Sequence, residues 1–273
     1  MPVGLVMLGG GAVAGAFGSL LGLGGGILIV PLLTLGFGLS LPEAVGVSLV
    51  SVIMTSSAAA GVYLERHVAN LRLGMTLELF TASGALIGGL VAVAIDERLL
   101  SILFAGLLAY VAFTMARAPR AEHGPEIDSL DEHDDDSPLA PTLDRLSGAG
   151  YRVRNLGRGV VGATGAGVAS ALFGIGGGII KVPLMNLAMG VPLRVATATS
   201  NLMIGITAAA SAVIYLFRGE IDPYVAGPTA IGVFIGATLG SRLGHRIELR
   251  YLRILFVVVL LYTAFQMLMR GLK

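Results

Sequence analysis

Long apolar segments follow one another along most of the chain, and they constrain its fold more than any other feature. Five lie at 3–22, 25–39, 43–64, 75–95 and 98–116, and five more lie at 159–174, 177–191, 195–217, 226–243 and 250–269. Several exceed the roughly 18 apolar residues that mark a membrane span. Charged residues make up only 13% of the 273 residues, about half the usual share. The sequence therefore predicts an all-α polytopic membrane protein that is embedded in the lipid bilayer.

The second half of the chain repeats the first at an offset of 152 residues, as between Gly24 and Gly176. Residues 100–104 read Leu-Ser-Ile-Leu-Phe, and residues 252–256 read Leu-Arg-Ile-Leu-Phe. Other pairs at this offset are Ser48 with Ser200, Tyr63 with Tyr215, Gly84 with Gly236 and Gly88 with Gly240. Internal duplication of this kind is typical of secondary transporters. We predict two transmembrane repeats, 1–116 and 159–273, with five helical segments each.

Residues 117–158 differ in composition from both repeats. They contain four prolines and the acidic run 131–136, which four arginines follow. Such a segment cannot bury enough apolar surface to fold alone, so we expect a polar, flexible cytoplasmic linker. His123 and His133 lie near the acidic run, but clustered carboxylates in a proline-rich segment are more often simply solvated. We predict no metal site, no cofactor and, with a net charge of +1, no nucleic-acid binding.

Loop charges predict that the two repeats have opposite orientations in the membrane. The loop between the third and fourth segments is basic in the first repeat, with Arg66 and Arg72, and acidic in the second, with Glu220 and Asp222. The next loop reverses this bias, since the second repeat carries arginines at 242, 246, 250 and 253. Basic loops lie on the cytoplasmic side. We therefore predict inverted-topology repeats in the cell (inner) membrane, with both termini outside.

A glycine cluster followed by a proline interrupts both repeats at the same place. The first copy contains Gly22, Gly24, Gly25, Gly26 and Pro31, and the second contains Gly174, Gly176, Gly177, Gly178 and Pro183. Glycine weakens a helix by about 1 kcal/mol relative to alanine, and proline removes a backbone donor. Residues 3–39 as one helix would be about 55 Å long, whereas the hydrocarbon core is about 30 Å thick. We favour a Gly-broken, re-entrant hairpin of two unequal helices in each repeat, with ten ordinary crossings as the alternative.

The paired glycine motifs, each followed by a small polar stretch at 44–48 or 196–200, resemble the TauE/SafE sulfite exporter family. The resemblance covers nearly the whole chain outside the linker. It implies a membrane permease for small sulfur-containing anions such as sulfite, sulfoacetate, thiosulfate or other organosulfonates. We expect alternating access around an anion site at the two hairpins, and an anion channel lined by the same hairpins is the alternative. Homo-oligomer formation stays open.

The glycine clusters form the centre of the expected anion site. A broken helix leaves free backbone N–H groups and a positive helix end, and both attract oxyanions. The residues expected to bind substrate are Gly24, Gly25, Gly26, Gly176, Gly177, Gly178, Lys181, Ser48, Ser200 and Asn201. Lys181 is the single charge of its hairpin and is expected to face a cavity, with snorkelling to the interface as the alternative. For the glycines and hydroxyls the alternative is helix packing, which we favour for isolated glycines such as Gly84 and Gly88.

Carboxylates are expected only near the membrane interface. Glu43 and Glu78 are interpreted as helix-starting residues, where a negative charge meets the positive end of the helix dipole. Because no carboxylate is expected deep in a span, no proton relay is predicted. The chain has no Cys, and its four His are scattered through loops and linker. Nothing in this pattern indicates a catalytic site, so we predict that the protein is not an enzyme.

Overall fold

The computed structural model describes residues 2–20, 25–65, 69–117, 146–148, 150–243 and 249–272. The helices in these ranges are α1 (Pro2–Leu20), α2 (Gly26–Pro31), α3 (Leu41–Glu65), α4 (Leu71–Ala94), α5 (Glu97–Arg117), α6 (Leu156–Phe173), α7 (Gly178–Pro183), α8 (Leu193–Phe217), α9 (Pro223–Leu243) and α10 (Leu249–Leu272). Both α2 and α7 continue directly as π-helical segments, Leu32–Gly36 and Leu184–Ala188. The predicted linker, with its acidic run 131–136, lies largely outside the described residues.

Seven helices of the described ranges, namely α3–α6 and α8–α10, are long and apolar enough to cross a membrane. Large apolar side chains such as Leu79 and Val161 are exposed on their outer faces. Lipid solvates such a surface, whereas water would expel it. The chain is therefore an all-α polytopic membrane protein, as the sequence predicts.

Most elements of the second repeat start 152 residues after their counterparts in the first. Starting residues 26 and 178, 32 and 184, 41 and 193, 71 and 223, and 97 and 249 all show this offset. The packing is reciprocal as well, because α1 packs against α9 and α4 against α6, while α3 packs against α8 and α5 against α10. This pattern is unchanged when the two repeats are exchanged. Each of these interfaces is thus built from one helix of each repeat.

Isolated glycines permit the close approach of these helices. In α4, a Cβ added at Gly84 would meet the backbone carbonyl oxygen of Thr164 in α6, and one at Gly88 would meet the α6 backbone one turn later. The matched glycines of α9, Gly236 and Gly240, lie against α1 in the same way. Small residues let backbones pack closely in membranes, where no hydrophobic effect drives helices together. The packing role predicted for Gly84 and Gly88 is confirmed.

Each hairpin joins a long helix to a short one. In the first, α1 has 19 residues, whereas α2 and its π-helical continuation have 6 and 5. At 1.5 Å per residue the short arm is about 16 Å long, roughly half the hydrocarbon thickness. Pro31 and Pro183 end α2 and α7, and because proline cannot donate to the regular ladder, the wider π turn follows each of them. These lengths agree with unequal hairpins rather than with ten ordinary crossings.

Candidate functional site

Left-handed backbone positions lie in the described part of each hairpin break. Gly25 has a φ of 77°, and Gly174, Gly176 and Gly177 have φ values of 67°, 72° and 75°. A residue with a side chain would enter this region at a cost of about 1–2 kcal/mol, so glycine suits these positions. Gly25 and Gly177 immediately precede these two helices. Gly24, which the sequence also assigns to the site, lies outside the described residues.

The glycine segments of the two repeats touch each other inside the protein. Gly26 approaches Gly174 so closely that an added Cβ would lie 2.5 Å from the Gly174 carbonyl oxygen. The Ser48 hydroxyl of α3 lies 2.7 Å from this oxygen and 3.2 Å from the Gly26 carbonyl oxygen. Since the single hydroxyl proton of Ser48 is directed to backbone carbonyls, Ser48 holds the two glycine segments together at the point where they touch, which we call the glycine crossing. Its contact with substrate stays a prediction.

Ser200, the counterpart of Ser48 in the second repeat, has a different environment. Its side chain is 1% exposed, and its hydroxyl has no hydrogen-bond partner within the described ranges. It lies beside the start of α7, because a Cβ added at Gly178 would be 3.7 Å from the hydroxyl oxygen. Burying a hydroxyl without a partner is costly, and such groups are rare. The substrate contact of Ser200 stays a prediction, and the structure gives its hydroxyl no partner among the described residues.

Asn201 occupies the next position of α8 and is also buried. Its backbone carbonyl accepts a hydrogen bond from the Ser56 hydroxyl of α3. One turn further along α8, a Cβ added at Gly205 would also meet Ser56. These contacts hold α3 and α8 together beside the glycine crossing. Substrate contacts remain predictions for Asn201 and for Gly25, Gly26, Gly176, Gly177 and Gly178.

Lys181 lies in a buried polar cluster next to the second glycine break. Its Nζ is 2.6 Å from Thr207 Oγ1 of α8 and 3.3 Å from Glu78 Oε2 of α4. Thr207 Oγ1 is in turn 2.6 Å from Glu78 Oε1, which closes the triangle. The lysine is 1% exposed, so it is enclosed by protein and does not snorkel to an interface. Its stem runs back toward the break, since a Cβ added at Gly177 would be 3.3 Å from Lys181 Cε.

The interpretation of Glu78 as an interfacial, helix-starting residue is wrong. Helix α4 begins at Leu71, where the Asn70 side chain accepts a hydrogen bond from the Leu73 N–H. Glu78 therefore lies two turns inside α4 and is only 5% exposed. The expectation that carboxylates stay near the interface fails with it, because Glu78 is a buried ion-pair partner. Recognising Asn70 as an N-cap residue would have placed Glu78 inside the helix.

Glu43 does occupy the helix start that the sequence predicts. It lies in the first turn of α3, and its carboxylate accepts hydrogen bonds from the Ser40 N–H at 2.9 Å and the Ser40 hydroxyl at 2.8 Å. This is a capping box, in which the first-turn carboxylate binds the backbone donor that precedes the helix. Glu43 and Glu78 thus have different roles, although the sequence predicts a helix start for both.

The buried cluster joins Glu78 of the first repeat to Lys181 and Thr207 of the second, and the repeat-related positions do not form a second copy of it. At the offset of 152 residues, Ile29 corresponds to Lys181, Ala230 to Glu78 and Thr55 to Thr207. The cluster is therefore asymmetric, whereas the asymmetry of the anion site, inferred from Lys181 and Ile29, stays a prediction. Across the described ranges no group of three or more His, Cys, Asp or Glu side chains is placed to hold a metal ion. What the cluster offers is one ammonium, one carboxylate and one hydroxyl in a low-dielectric interior.

Comparison with known proteins finds a family and several relatives. The model of the family described as "Sulfite exporter TauE/SafE" matches residues 7–267. "Probable membrane transporter protein YunE" of Bacillus subtilis (strain 168) is 26% identical over 273 residues and covers 96% of both chains. "Probable membrane transporter protein" of Xylella fastidiosa (strain Temecula1 / ATCC 700964) is 29% identical, with 89% of this chain and 86% of the relative covered. "Probable membrane transporter protein MJ0441" of Methanocaldococcus jannaschii is 28% identical, with 92% and 90% covered. No solved structure matches significantly.

Proposed function

The chain belongs to the sulfite exporter TauE/SafE family, whose relatives above are named as membrane transporters, and we propose that it is a secondary transporter of small sulfur-containing anions. The proposed substrates are sulfite, thiosulfate, sulfoacetate and other organosulfonates. They share a compact oxyanion group that accepts several hydrogen bonds at once.

The observation that carries this proposal is the contact between the two glycine segments. The Ser200 hydroxyl, which has no hydrogen-bond partner in the described part of the chain, lies beside this contact. Backbone N–H groups at a helix break attract oxyanions, and glycine lets an oxygen approach the backbone closely. Ser200 adds a hydroxyl donor, and Lys181 adds the positive charge nearby. The remaining proposed contacts come from Gly24, Gly25, Gly26, Gly176, Gly177, Gly178, Ser48 and Asn201.

We propose that the transporter works by alternating access around the same arrangement. In the proposed inverted topology, one hairpin enters from each side of the membrane, and the short arms of the two hairpins meet where the glycine segments touch. The proposed membrane is the inner membrane, with both termini outside. Rocking of one repeat against the other would then expose this crossing to one side at a time. The Ser48 hydrogen bonds link the Gly26 and Gly174 carbonyls of the two repeats, so they lie where such a motion has to act.

Counterflow in liposomes tests the proposal. The purified full chain is reconstituted, and the liposomes are loaded with an unlabelled anion. Uptake of the same anion in labelled form is then followed. The anions are sulfite, thiosulfate, sulfoacetate and isethionate, and sodium is the cation control. A transporter gives saturable flux with transient accumulation of label. Flux that never saturates and shows no counterflow would favour the channel alternative, and no flux with any of these anions would refute the proposal.

The Ser200 hydroxyl gives a residue-level test. We expect Ser200→Ala to raise the half-saturation concentration about tenfold, which equals the loss of one hydrogen bond of about 1.4 kcal/mol. Ser83→Ala is the matched control, because the Ser83 hydroxyl is exposed and bonds to its own helix. An unchanged half-saturation concentration in Ser200→Ala would remove Ser200 from the site.

A further inference from the structure

Glu78 is a buried carboxylate that anion binding alone does not require. It is the acidic partner of Lys181, and both side chains are enclosed by protein. We propose that Glu78 is a proton-binding site and that one proton binds there whenever an anion replaces Glu78 as the counter-ion of Lys181. This inference rests on the proposed anion transport and adds its coupling ion. The two ligands then cross the membrane together.

The ion pair is placed to exchange partners. The distance of 3.3 Å between Lys181 Nζ and Glu78 Oε2 is longer than the roughly 2.7–2.9 Å of a strong charge-assisted hydrogen bond. The stem of Lys181 lies against the Gly177 backbone at the break, on the side of the proposed anion site. An anion at the glycine segments therefore competes with Glu78 for the same ammonium group.

Thr207 provides hydrogen bonds for both protonation states of Glu78. When Glu78 is ionised, the Thr207 hydroxyl donates to Oε1 at 2.6 Å and accepts from Lys181 Nζ. When Glu78 carries a proton, its O–H can donate to Thr207 Oγ1, and the Thr207 proton turns to the Met203 carbonyl oxygen, which lies 3.2 Å away. A hydroxyl has one donor and two acceptor positions, so neither state leaves the threonine proton without a partner.

Charge balance links the two binding events. With Glu78 ionised, the carboxylate and the ammonium sum to zero. If a monovalent anion took the ammonium while Glu78 stayed ionised, a carboxylate would be buried without a counter-ion, which is strongly unfavourable. A proton from the open aqueous side converts Glu78 to the neutral acid, and the ammonium with its anion again sums to zero. Lys181 keeps its own proton throughout, and the proton on Glu78 returns to water when the anion leaves.

Few other charges bear on this site. Of the helices packed around the cluster, α4, α6 and α8 each carry an arginine in the first turn, Arg72, Arg158 and Arg194, and all three are exposed. The described loop near the start of α4 adds Tyr151, which binds Asn70 at 2.7 Å, and Arg152. Within the described parts of α4, α6, α7 and α8, the buried ionisable residues are Glu78, Lys181 and Tyr215. The Tyr215 hydroxyl donates to the Ala171 carbonyl oxygen at 2.9 Å and has no hydrogen bond to the cluster. A pH response of anion binding is therefore assigned to Glu78.

The test uses isethionate, a monovalent anion whose charge does not change between about pH 6 and pH 8, with the full chain in liposomes. For the wild type we expect a pH gradient, acidic outside, to drive accumulation of isethionate inside the liposomes. We also expect the half-saturation concentration to rise by up to about tenfold for each unit of increasing pH, as Glu78 loses its proton. Glu78→Gln should keep counterflow but lose both the accumulation and the pH dependence. Glu97→Gln, the same substitution in the partly exposed Glu97–Arg270 pair, should behave as wild type.

The outcomes separate coupling from transport. If the wild type shows no saturable flux of sulfite, thiosulfate, sulfoacetate or isethionate, the proposed function and the coupling fail together. If it shows counterflow but no gradient-driven accumulation, or if Glu78→Gln retains the pH dependence, transport stands and the coupling is refuted. Should Glu78→Gln fail to fold, proton uptake by the wild type on adding isethionate in weakly buffered detergent decides. Uptake of about one proton per bound anion supports the proposal, and no uptake overturns it.

Discussion

Replacing Lys181 with methionine removes the positive charge of the buried cluster and keeps an unbranched side chain. The Glu78 carboxylate would then be buried without its counter-ion, retaining only the Thr207 hydroxyl at 2.6 Å. Removing one partner of a buried ion pair destabilises a protein by about 3–5 kcal/mol. We expect Lys181→Met to lower the free energy of unfolding by this amount. Adding Glu78→Gln should recover at least about 2 kcal/mol, because the uncompensated charge is then absent.

Equilibrium unfolding in mixed micelles of mild detergent and dodecyl sulfate, followed by far-ultraviolet circular dichroism, measures this cycle. The four proteins are the wild type, the two single variants and the double variant. Glu97→Gln is the matched control, because the Arg270–Glu97 pair has a similar distance, 3.2 Å against 3.3 Å in the buried pair. The two pairs differ in burial: the Arg270 and Glu97 side chains are 34% and 42% exposed, and the Lys181 and Glu78 side chains are 2% and 6% exposed. An exposed pair contributes about 0–1 kcal/mol, so this control should stay close to the wild type.

Two results would refute the reasoning. A loss of less than about 1 kcal/mol in Lys181→Met would mean that Glu78 is not buried as a charge. Additive losses in the double variant would mean that Lys181 and Glu78 do not act as a unit. The same samples test the site, because isethionate should raise the thermal midpoint of the wild type but not that of Lys181→Met. Stabilisation that persists in Lys181→Met would remove Lys181 from the proposed anion site.

Two further predictions concern glycine. Gly174→Ala should be more destabilising than Gly38→Ala. Both positions have positive φ, so alanine is strained by about 1–2 kcal/mol at either one. Only at Gly174 would the new Cβ also press on other residues, including Ser48 at 3.2 Å. Equal losses in a thermal unfolding assay would contradict the close crossing of the two segments. Gly84→Ala should lower the free energy of unfolding by about 1–3 kcal/mol, because the new Cβ forces α4 away from α6. The control Gly9→Ala should be neutral or stabilising, because its Cβ meets nothing within 4 Å. A Gly84→Ala variant as stable as the wild type would disprove the helix contact.

The helices were largely predictable because their signals are local. Apolar run length predicts the spans, and most predicted segments begin within four residues of the observed helices. The hairpin breaks were predictable for the same reason, since a cluster of glycines with positive φ and a proline without an N–H act on the chain where they stand. Apolar run length predicts the ends of helices less accurately, since it places the start of α4 at residue 75 instead of Leu71. A small boundary error was enough to misplace Glu78 at the interface.

The sequence by itself determined that this is a helical membrane protein, duplicated, with a glycine break in each repeat and one unmatched lysine in the second. Hydropathy, the conformational range of glycine and the repeat offset are properties of the chain before it folds. Tertiary structure alone decided that Lys181 pairs with Glu78, 103 residues away, and that Ser48 bonds to Gly174, 126 residues away. Such contacts depend on which faces of α3, α4, α7 and α8 meet. Small-residue packing between repeats sets those faces, and no periodicity within one helix encodes it.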